Sequence, residues 1–489
     1  MKKFKEYKSF DLAEINSRVL DFWEKEEVFK KSIESRIKSK PFVFYEGPPS
    51  ANGMPGIHHV MGRTIKDLFC RYKTLMGFCV ERRAGWDAHG LPVELSVEKE
   101  LGITKEDINK KISIKDYNNH CKKTVMRYTS HWNELTKKMG YWVDVDNPYI
   151  TYNSKYIESV WYLLKRLYDE KLVYKGYAIQ PYSPAAGTGL SSHELNLPGC
   201  YKDVKDTSVT ALFKAIKHPF NNLCTDPVYF LAWTTTPWTL PANTALAVGR
   251  GIKYNLVKTF NQYTEKFINV VFAENLKDSV LKGFVEVFSD KDLVFNAKKT
   301  PYVLLGSFLG EELLGVKYEQ LLNFCQPYEK KQNAFVIVHG DFVNTDGGTG
   351  IVHMAPTFGA DDKLVAEKNN IPGMLVLNKK NKPVPIVNKK GQYIDCMGEF
   401  SGRYVKKEFS SVEKQSLDVD IAVRLKKDGL AFRVEKYSHS YPHCWRTDKP
   451  VLYYPLNSWF IKTTSKKNEM LKNNESVFWQ PKSTGEGRF

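Results

Sequence analysis

The sequence lacks the cysteine spacing and the long apolar runs that define several large protein classes. Its eight cysteines contain no C-x-x-C pair, which argues against a zinc ribbon and a disulfide framework and predicts free thiols in a reducing cytoplasm. No apolar run approaches the roughly 20 residues that span a bilayer. The first residues, Met-Lys-Lys-Phe-Lys, lead into acidic residues without an apolar core, so no secretory signal is expected.

Acidic side chains are fewer than basic ones. The chain has 72 Lys and Arg against 55 Asp and Glu, a net charge of +17. A lysine-rich composition of the kind that AT-biased genomes produce explains this charge without any function, whereas a polyanionic partner would explain it by binding. The lysines are spread along the chain and form no arginine-rich block, so both explanations stay open.

The length and composition predict a multidomain globular protein. A chain of 489 residues is too long for one ordinary core, so two or three domains are expected. Its 42% hydrophobic and 26% charged residues are typical of soluble globular proteins. No internal repeat is evident.

The first 200 residues carry a strand–loop–helix pattern, the building block of a nucleotide-binding α/β domain. The apolar run 42–45 predicts a buried parallel strand, and a helix is predicted from about residue 59 to 76. Further helices are predicted over 11–27, over parts of 105–140, and over 154–168, where apolar residues on one side predict a well-packed helix.

From about residue 205 the pattern changes to short β-rich runs separated by Gly, Pro and Asn turns. Such spacing suggests a separate β-barrel or sandwich. The runs are 209–213, 228–233, 267–272, 334–338 and 374–377.

Two loops in this β-rich part carry the most specific motif. Residues 233–243 read Trp-Thr-Thr-Thr-Pro-Trp-Thr-Leu-Pro-Ala-Asn, and three adjacent hydroxyls can hold a water, an ester oxygen or a ribose hydroxyl. Residues 348–362 read Gly-Thr-Gly-Ile-Val-His-Met-Ala-Pro-Thr-Phe-Gly-Ala-Asp-Asp. Alone, each feature is ordinary: a threonine run is usually a strand, a single histidine is usually structural, and an Asp-Asp pair is usually a helix N-cap. Together the loops resemble the editing pocket of isoleucyl-tRNA synthetases.

This resemblance implies a hydrolytic site that removes valine misattached to isoleucine tRNA. Its residues would be Thr234, Thr235, Thr236, Asn243, His353 and Asp362. The threonines would bind the terminal adenosine or the attacking water, with the asparagine as their support. The aspartate would bind the α-ammonium of the amino acid, and the histidine would crowd the pocket so that valine enters and isoleucine does not. One methylene is worth only about 1–3 kcal/mol in a binding pocket, a limit for which isoleucyl-tRNA synthetases are themselves the standard example.

Two motifs nearer the N-terminus resemble the first half of a class I aminoacyl-tRNA synthetase active site. Residues 47–59 read Gly-Pro-Pro-Ser-Ala-Asn-Gly-Met-Pro-Gly-Ile-His-His and lead into a helix, whose N-terminus suits phosphate. Without its context, this loop would be an ordinary turn before a capped helix. Residues 82–94 contain Gly-Trp-Asp-Ala-His-Gly-Leu-Pro, a form that resembles the isoleucine enzymes rather than the valine or leucine enzymes.

The resemblance implies a substrate and ATP site that contains Gly47, Pro48, Asn52, Gly56, His58, His59, Trp86 and Asp87. The proline, with Gly47 and Trp86, would shape the isoleucine pocket. Asp87 would pair with the α-ammonium of the substrate. His59 and the loop around Asn52 and Gly56 would cradle ATP, which would bring Mg²⁺. The family signature His-x-Gly-His is Gly-Ile-His-His here, so only His59 matches, and His58 either supplies the missing imidazole from a shifted position or faces solvent.

The predicted fold class is α/β, with a Rossmann-like nucleotide-binding catalytic half-domain and an inserted β-barrel editing domain. The predicted segments are an N-terminal helical segment over 1–40, the first half of the catalytic domain over 41–200, the editing domain over 201–430, and an exit segment over 431–489. His443 and Cys444 have no partner pair, so no zinc site is expected. No Lys-Met-Ser-Lys-Ser loop occurs, and the family's chains run well beyond this length, so an incomplete chain is expected.

Three functions follow from the resemblance. The first is an isoleucine–tRNA ligase that uses ATP, isoleucine and isoleucine tRNA and edits valine. The second is a tRNA deacylase that only edits, and the third is a non-catalytic tRNA-binding fragment that needs a complementing C-terminal chain. The expected location is cytoplasmic, with no membrane partner, and the complete protein is expected to be a monomer.

Overall fold

The chain divides into two units, and the second unit is inserted into the sequence of the first. In the computed structural model the described residues are 9–220 and 222–488, with the backbone alone at residue 488. The first unit comprises Met1–Tyr174 and Ile461–Phe489, and the second comprises Lys175–Phe460. The prediction that the chain has no secretory signal concerns residues 1–8, which lie outside the described part. In the described part, no helix has the length and the apolar character that crossing a bilayer requires.

The first unit is mostly helical, with one short parallel strand pair. Its elements are α1 (Leu12–Lys25), α2 (Val28–Glu34), α3 (Ile57–Leu75), β1 (Arg83–Trp86), α4 (Leu91–Leu101), α5 (Ile114–Val125), α6 (Thr129–Lys138), β2 (Asp144–Ile150) and α7 (Ser154–Asp169), with a further helix over Lys467–Glu475. Helix α1 begins where Asp11 accepts hydrogen bonds from the backbone N–H groups of Ala13 and Glu14, which satisfies two otherwise unpaired donors. Strands β1 and β2 pair in parallel.

The predicted helices over 11–27, 59–76 and 154–168 are confirmed as α1, α3 and α7. The prediction of a well-packed α7 is wrong, because the helix buries none of its residues and Trp161 is 70% exposed. A 3.6-residue apolar period predicts a helix, but it does not supply the surface that would cover its apolar side.

The predicted buried strand over 42–45 is also wrong. The one isolated parallel bridge at this place, between Pro41 and Cys79, precedes the segment, and Val43 and Tyr45 are 68% and 87% exposed. A parallel strand is buried only when neighbours pair along its length and both faces are covered. Here one bridge holds the backbone, so alternate side chains face outward.

The second unit is built mainly of β-strands. Its strands are β3 (Val173–Ser183), β4 (Thr188–Gly189), β5 (Tyr201–Lys214), β6 (Val228–Thr234), β7 (Ala245–Val248), β8 (Lys253–Phe260), β9 (Phe267–Ala273), β10 (Phe284–Glu286), β11 (Thr300–Leu309), β12 (Val336–His339), β13 (Val352–Met354), β14 (Leu375–Leu377), β15 (Pro383–Pro385), β16 (Ala431–Pro442) and β17 (Leu452–Ile461). Its helices are α8 (Ser192–Leu195), α9 (Lys277–Val280), α10 (Ala360–Lys368) and α11 (Leu417–Lys427).

A seven-stranded mixed sheet, in the order β10-β11-β8-β9-β6-β5-β16, forms the frame of this unit. A three-stranded sheet, β12-β7-β13, lies in the same unit. All five predicted β-rich runs overlap strands, namely β5, β6, β9, β12 and β14. The seven-stranded order ends at β10 and β16, so the described residues do not show a closed barrel.

The largest buried apolar cluster lies wholly in the second unit, with members from Tyr182 to Tyr454. It includes fully buried residues of β5 and β6, such as Leu212, Phe213 and Phe230. Because this core draws no member from the first unit, the second unit contains what it needs to fold.

We expect residues 175–460, expressed alone, to unfold in one cooperative transition in guanidinium chloride, followed by far-ultraviolet circular dichroism. In the same segment, Leu212→Ala should lower the free energy of unfolding by about 2–5 kcal/mol, because it leaves a cavity in this core. A broad transition, insensitive to that substitution, would show that the core does not form independently.

Candidate functional site

A cavity of about 270 Å³ in the second unit brings the two loop motifs together. Its lining consists of Trp233, Thr234, Thr235, Thr236, Thr239, Val352, His353, Ala355, Phe358 and Asp362. Five of the six residues predicted for hydrolysis therefore face one space, and the sixth, Asn243, is buried behind its wall.

The strand pairing explains how two loops more than one hundred residues apart meet. Strand β6 ends at Thr234, and a 3₁₀ turn over Pro237–Ala242 leads into β7. Strand β7 pairs antiparallel with β13, with His353 opposite Leu246. Helix α10 follows β13 directly and carries Asp362 in its first turn. The sheet thus places the histidine beside the turn and the aspartate beside both.

The three threonines have different environments. The Thr236 N–H donates to the Thr234 hydroxyl at 3.1 Å, and the two hydroxyl oxygens are 3.3 Å apart. This local turn, of the kind that threonine often makes, fixes the first and third hydroxyls. Among the described residues, the Thr235 hydroxyl has no hydrogen-bond partner, which leaves it available to a ligand in the cavity.

Asn243 holds His353 from behind the cavity. Its side-chain nitrogen lies 2.8 Å from His353 Nδ1 and donates to the carbonyls of Ala245 at 2.8 Å and Met354 at 3.3 Å. Its side-chain oxygen accepts from the Tyr318 hydroxyl at 2.7 Å. Since an amide nitrogen only donates, His353 Nδ1 must be an acceptor.

The tautomer of His353 follows from this contact. With Nδ1 accepting, the proton of the neutral ring lies on Nε2, which donates to the Thr239 hydroxyl at 3.0 Å. That hydroxyl in turn donates to the Thr236 carbonyl at 2.8 Å. Burial lowers the pKa of His353 to about 3, so the ring is neutral. A neutral imidazole with both nitrogens engaged is a fixed wall of the cavity and a poor general base.

Asp362 is the acidic group of the cavity. Its Oδ2 atom accepts from the Ala355 N–H at 2.8 Å. Burial raises the pKa of Asp362 to about 6, the Ala355 hydrogen bond opposes this rise, and the neighbouring Asp361 adds to it. A Cβ at Gly359 would lie 2.5 Å from Asp362 Oδ2, so a glycine is needed at that position. An ammonium group beside this carboxylate would favour its ionised form.

Sequence reasoning missed four residues that shape the cavity. They are Thr239, Tyr318, Tyr393 and Asp418. Thr239 contacts His353, Tyr318 contacts Asn243, and the other two contact Trp238 in the 3₁₀ turn. Thr239 belongs to the same motif and could have been included. The other three lie far away in the sequence, and no local pattern marks them.

The loop 47–59 of the first unit is also organised around a histidine. His59 Nδ1 accepts from the Gly56 N–H at 2.9 Å. The His59 ring packs edge-on against Trp132, with the ring centroids 4.6 Å apart. The Trp132 indole N–H donates to the Gly53 carbonyl at 2.9 Å. Burial, followed by the charges of His58 and Arg63, lowers the pKa of His59. The exposed His58 ring lies 3.8 Å from the His59 ring.

The second predicted motif of the first unit lies next to this loop. The Asp87 N–H donates to the Pro49 carbonyl at 3.0 Å, which links the strand end to the loop. Trp86 is buried and packs against Trp132, with the ring centroids 6.3 Å apart. The other predicted residues, Gly47, Pro48 and Asn52, occupy the same loop, and the last two are half-buried.

No group of three or more His, Cys, Asp or Glu side chains that could hold a metal ion is found among the described residues. The His443 and Cys444 pair has structural contacts. The His443 N–H donates to the Cys200 carbonyl at 2.6 Å, and the Cys444 N–H donates to the Lys449 carbonyl at 2.8 Å.

Comparison with known proteins identifies similar chains. Residues 18–489 match the family described as tRNA synthetases class I (I, L, M and V). The isoleucine–tRNA ligase of Cytophaga hutchinsonii is 54% identical over an alignment that covers 100% of this chain and 44% of that protein. The enzyme of the same name from Bacteroides fragilis is 52% identical, with coverage of 100% and 44%, and that from Clostridium tetani is 41% identical, with coverage of 100% and 42%. The chain thus spans less than half the length of these relatives.

Two solved structures are more distant. The crystal structure of GlLeuRS-CP1 has a TM-score of 0.32 and 18% identity, and covers 47% of this chain and 100% of its own. The Plasmodium knowlesi cytosolic leucyl-tRNA synthetase editing domain has a TM-score of 0.32 and 15% identity, and covers 49% of this chain and 98% of its own.

We expect Asn243→Ala to destabilise the second unit by about 2–4 kcal/mol, because the Tyr318 hydroxyl and His353 Nδ1 would lose their buried partner. Urea unfolding measures this loss. The matched control is Asn344→Ala, at an exposed asparagine that accepts from the Asp346 N–H at 3.2 Å, which should cost less than about 1 kcal/mol. Equal losses in the two variants would contradict the role given to Asn243.

Proposed function

Because the chain belongs to the class I tRNA synthetases, we propose that the protein is an isoleucine–tRNA ligase with a hydrolytic editing site for valine. The relatives named isoleucine–tRNA ligase, at 52–54% identity over the whole of this chain, support isoleucine as the amino acid. The Gly-Trp-Asp-Ala-His-Gly-Leu-Pro segment supports the same choice.

The observation that carries the editing function is the convergence of the threonine loop, His353 and Asp362 on one cavity of about 270 Å³. Hydrolysis of an aminoacyl ester requires a positioned water, an anchor for the α-ammonium and a limit on side-chain size. The Thr235 hydroxyl is available for the water or the terminal ribose. Asp362 is the ammonium anchor, and an ammonium beside it would further favour its ionised form.

The size limit comes from groups that cannot move aside. His353 is held on both ring nitrogens, and Phe358 packs against the buried Trp238 with ring centroids 5.2 Å apart. A wall fixed in this way can exclude the extra methylene of isoleucine, which a flexible wall would accommodate. His353 acts by its position and not by taking a proton, because its pKa of about 3 leaves it a weak base.

The first unit would bind ATP and isoleucine. Helix α3 begins at the loop 47–59, and its N-terminal N–H groups suit the phosphates. His59 would contact ATP, Asp87 the substrate ammonium, and Pro48 and Trp86 the side chain. Mg²⁺ would arrive with the ATP phosphates. We further propose a Rossmann-like arrangement around β1 and β2, a barrel-like arrangement of the editing sheets, and a cytoplasmic location with isoleucine tRNA as partner.

The two alternative functions differ in one measurable respect. A deacylase that only edits would hydrolyse valyl-tRNA without activating isoleucine, and a tRNA-binding fragment would do neither. Assays of isoleucine-dependent ATP–pyrophosphate exchange and of valyl-tRNA hydrolysis by the same preparation separate the three.

We expect the purified chain to release valine from isoleucine tRNA and to leave isoleucyl-tRNA intact. Asp362→Ala should lower kcat/KM for this hydrolysis by about 100-fold, because the ammonium loses its anchor. Asp361→Ala is the matched control, since Asp361 is the exposed neighbour in the same helical turn and does not line the cavity.

If Asp362→Ala and Asp361→Ala had comparable kcat/KM values for hydrolysis, Asp362 would not be the ammonium anchor. If the wild-type chain, shown to be folded, hydrolysed neither ester, the editing function itself would be wrong.

The pH dependence of hydrolysis should report the Asp362 carboxyl. With a pKa raised to about 6, this group loses its charge as the pH falls through 6. The ratio of kcat/KM between the wild-type chain and Asp362→Asn should therefore fall about tenfold between pH 7.5 and pH 5. Taking the ratio cancels the dependence of ester hydrolysis on hydroxide. A ratio that stays constant over this range would mean that the carboxylate does not bind the substrate ammonium.

A further inference from the structure

The peptide of Trp238 is held from both sides by side chains that lie far along the chain. Trp238 is in the 3₁₀ turn that follows the three threonines. Its N–H donates to Asp418 Oδ1 at 2.8 Å, and its carbonyl accepts from the Tyr393 hydroxyl. Trp238, Tyr393 and Asp418 are 3%, 1% and 1% exposed, so water does not compete for these bonds.

The N–H of Trp238 is one of the groups that a helical turn cannot satisfy by itself. The first N–H groups of a helix have no partner within it, and a buried N–H without a partner costs free energy. Asp418 supplies the partner from outside the turn. The carboxylate lies in the first turn of α11, where the positive end of the helix dipole stabilises it.

A buried lysine keeps this carboxylate in place. Lys406 Nζ lies 3.5 Å from Asp418 Oδ2 and 2.8 Å from Asp206 Oδ2, and it is 5% exposed. The Tyr441 ring lies 4.6 Å from the ammonium, and His439 Nε2 lies 3.3 Å from Asp206 Oδ2. Burial raises the pKa of Asp418 to about 6, and Lys406 opposes that rise, so the carboxyl is largely ionised at neutral pH.

The contribution of a buried ion pair to stability does not by itself explain why a carboxylate lies at position 418. Buried ion pairs can often be replaced by apolar residues of similar volume at no loss, because desolvation offsets the attraction. An apolar residue at position 418 could not accept the hydrogen of the Trp238 N–H. The carboxylate therefore has a geometric consequence that packing could not reproduce.

That consequence reaches the cavity through the next residue. The Thr239 hydroxyl donates to the Thr236 carbonyl and accepts from His353 Nε2. A shift of the Trp238 peptide would move Thr239, and the histidine would lose the acceptor that orients its ring. The hold on Trp238 thus lies one residue away from the wall of the cavity.

We propose that Asp418 and Tyr393 are positioning residues of the hydrolytic site, which fix the Thr236–Thr239 turn and, through Thr239, the orientation of His353. Neither residue lines the cavity, so both act through the turn. This inference rests on the proposed editing function.

The test uses the full 489-residue chain and, as substrate, isoleucine tRNA to which valine has been attached. Asp418→Ala should lower kcat on the order of 100-fold, the size expected for a misplaced catalytic group, with KM changed less than about twofold. Asp418→Asn should recover most of this loss, because its amide oxygen can accept the same hydrogen. Tyr393→Phe, which keeps the buried ring, should lower kcat about tenfold.

The matched control is Tyr302→Phe. Tyr302 is also buried, and its hydroxyl donates to Glu286 Oε2 at 3.0 Å on β10, at one end of the seven-stranded sheet. This variant loses a buried hydroxyl without touching the threonine turn, so it should retain the wild-type kcat.

A second measurement reports the geometry without catalysis. The ¹⁵N chemical shifts of His353 should show a single tautomer, protonated on Nε2, in the wild-type chain and in Tyr302→Phe. In Tyr393→Phe and Asp418→Ala the signal of the protonated Nε2 should move, because Nε2 loses its Thr239 acceptor, while Nδ1 still accepts from Asn243. A purely structural role would lower the unfolding midpoint and leave these shifts unchanged.

The outcomes are distinct. If Tyr393→Phe and Asp418→Ala hydrolyse valyl-tRNA with the kcat of Tyr302→Phe, the positioning role is wrong while the editing function stands. If Asp418→Ala does not fold, Tyr393→Phe decides alone. If the wild-type chain does not hydrolyse valyl-tRNA, the editing function fails, and unchanged His353 shifts in the variants would overturn the positioning role as well.

Discussion

The contact between Asn243 and His353 is the interaction on which the cavity depends. The two N–H bonds of the amide are shared among the Ala245 carbonyl, the Met354 carbonyl and His353 Nδ1, and its oxygen accepts from the Tyr318 hydroxyl. The amide thereby fixes the tautomer of the ring. From that tautomer follows the direction of the bond to Thr239, while the neutral charge of the ring follows from its burial. One buried side chain therefore fixes the orientation of the histidine wall, as expected for a fully satisfied polar network.

The parts of the site that could be predicted from the sequence are those that lie within short motifs. The threonine run, the histidine and the aspartate were predicted because the two loops together resemble a pocket of a known family, and the structure brings them to one cavity. The β-rich runs were found because branched and aromatic residues lie between turn residues. In both cases the information is local.

The parts that could not be predicted depend on contacts between distant segments. Asp418 reads as an ordinary acidic residue in the first turn of a helix, and only the fold shows that it meets Trp238, 180 residues away. The apolar segment 42–45 and the apolar side of α7 show the opposite error. Their patterns indicate burial, but burial also needs a covering surface, which no local pattern describes.

The charge states of His353 and Asp362 suit a substrate that carries a positively charged ammonium group. Burial works in opposite directions on the two titratable groups, since it lowers the pKa of His353 to about 3 and raises that of Asp362 to about 6. Both shifts reduce the charge of the site before it is occupied. When an α-ammonium enters, the carboxylate gains a partner and its pKa falls, whereas the histidine stays neutral and does not repel the ammonium. A cationic imidazole at position 353 would oppose the binding of the same group, so the burial that keeps the ring neutral also favours the entry of the proposed aminoacyl ester.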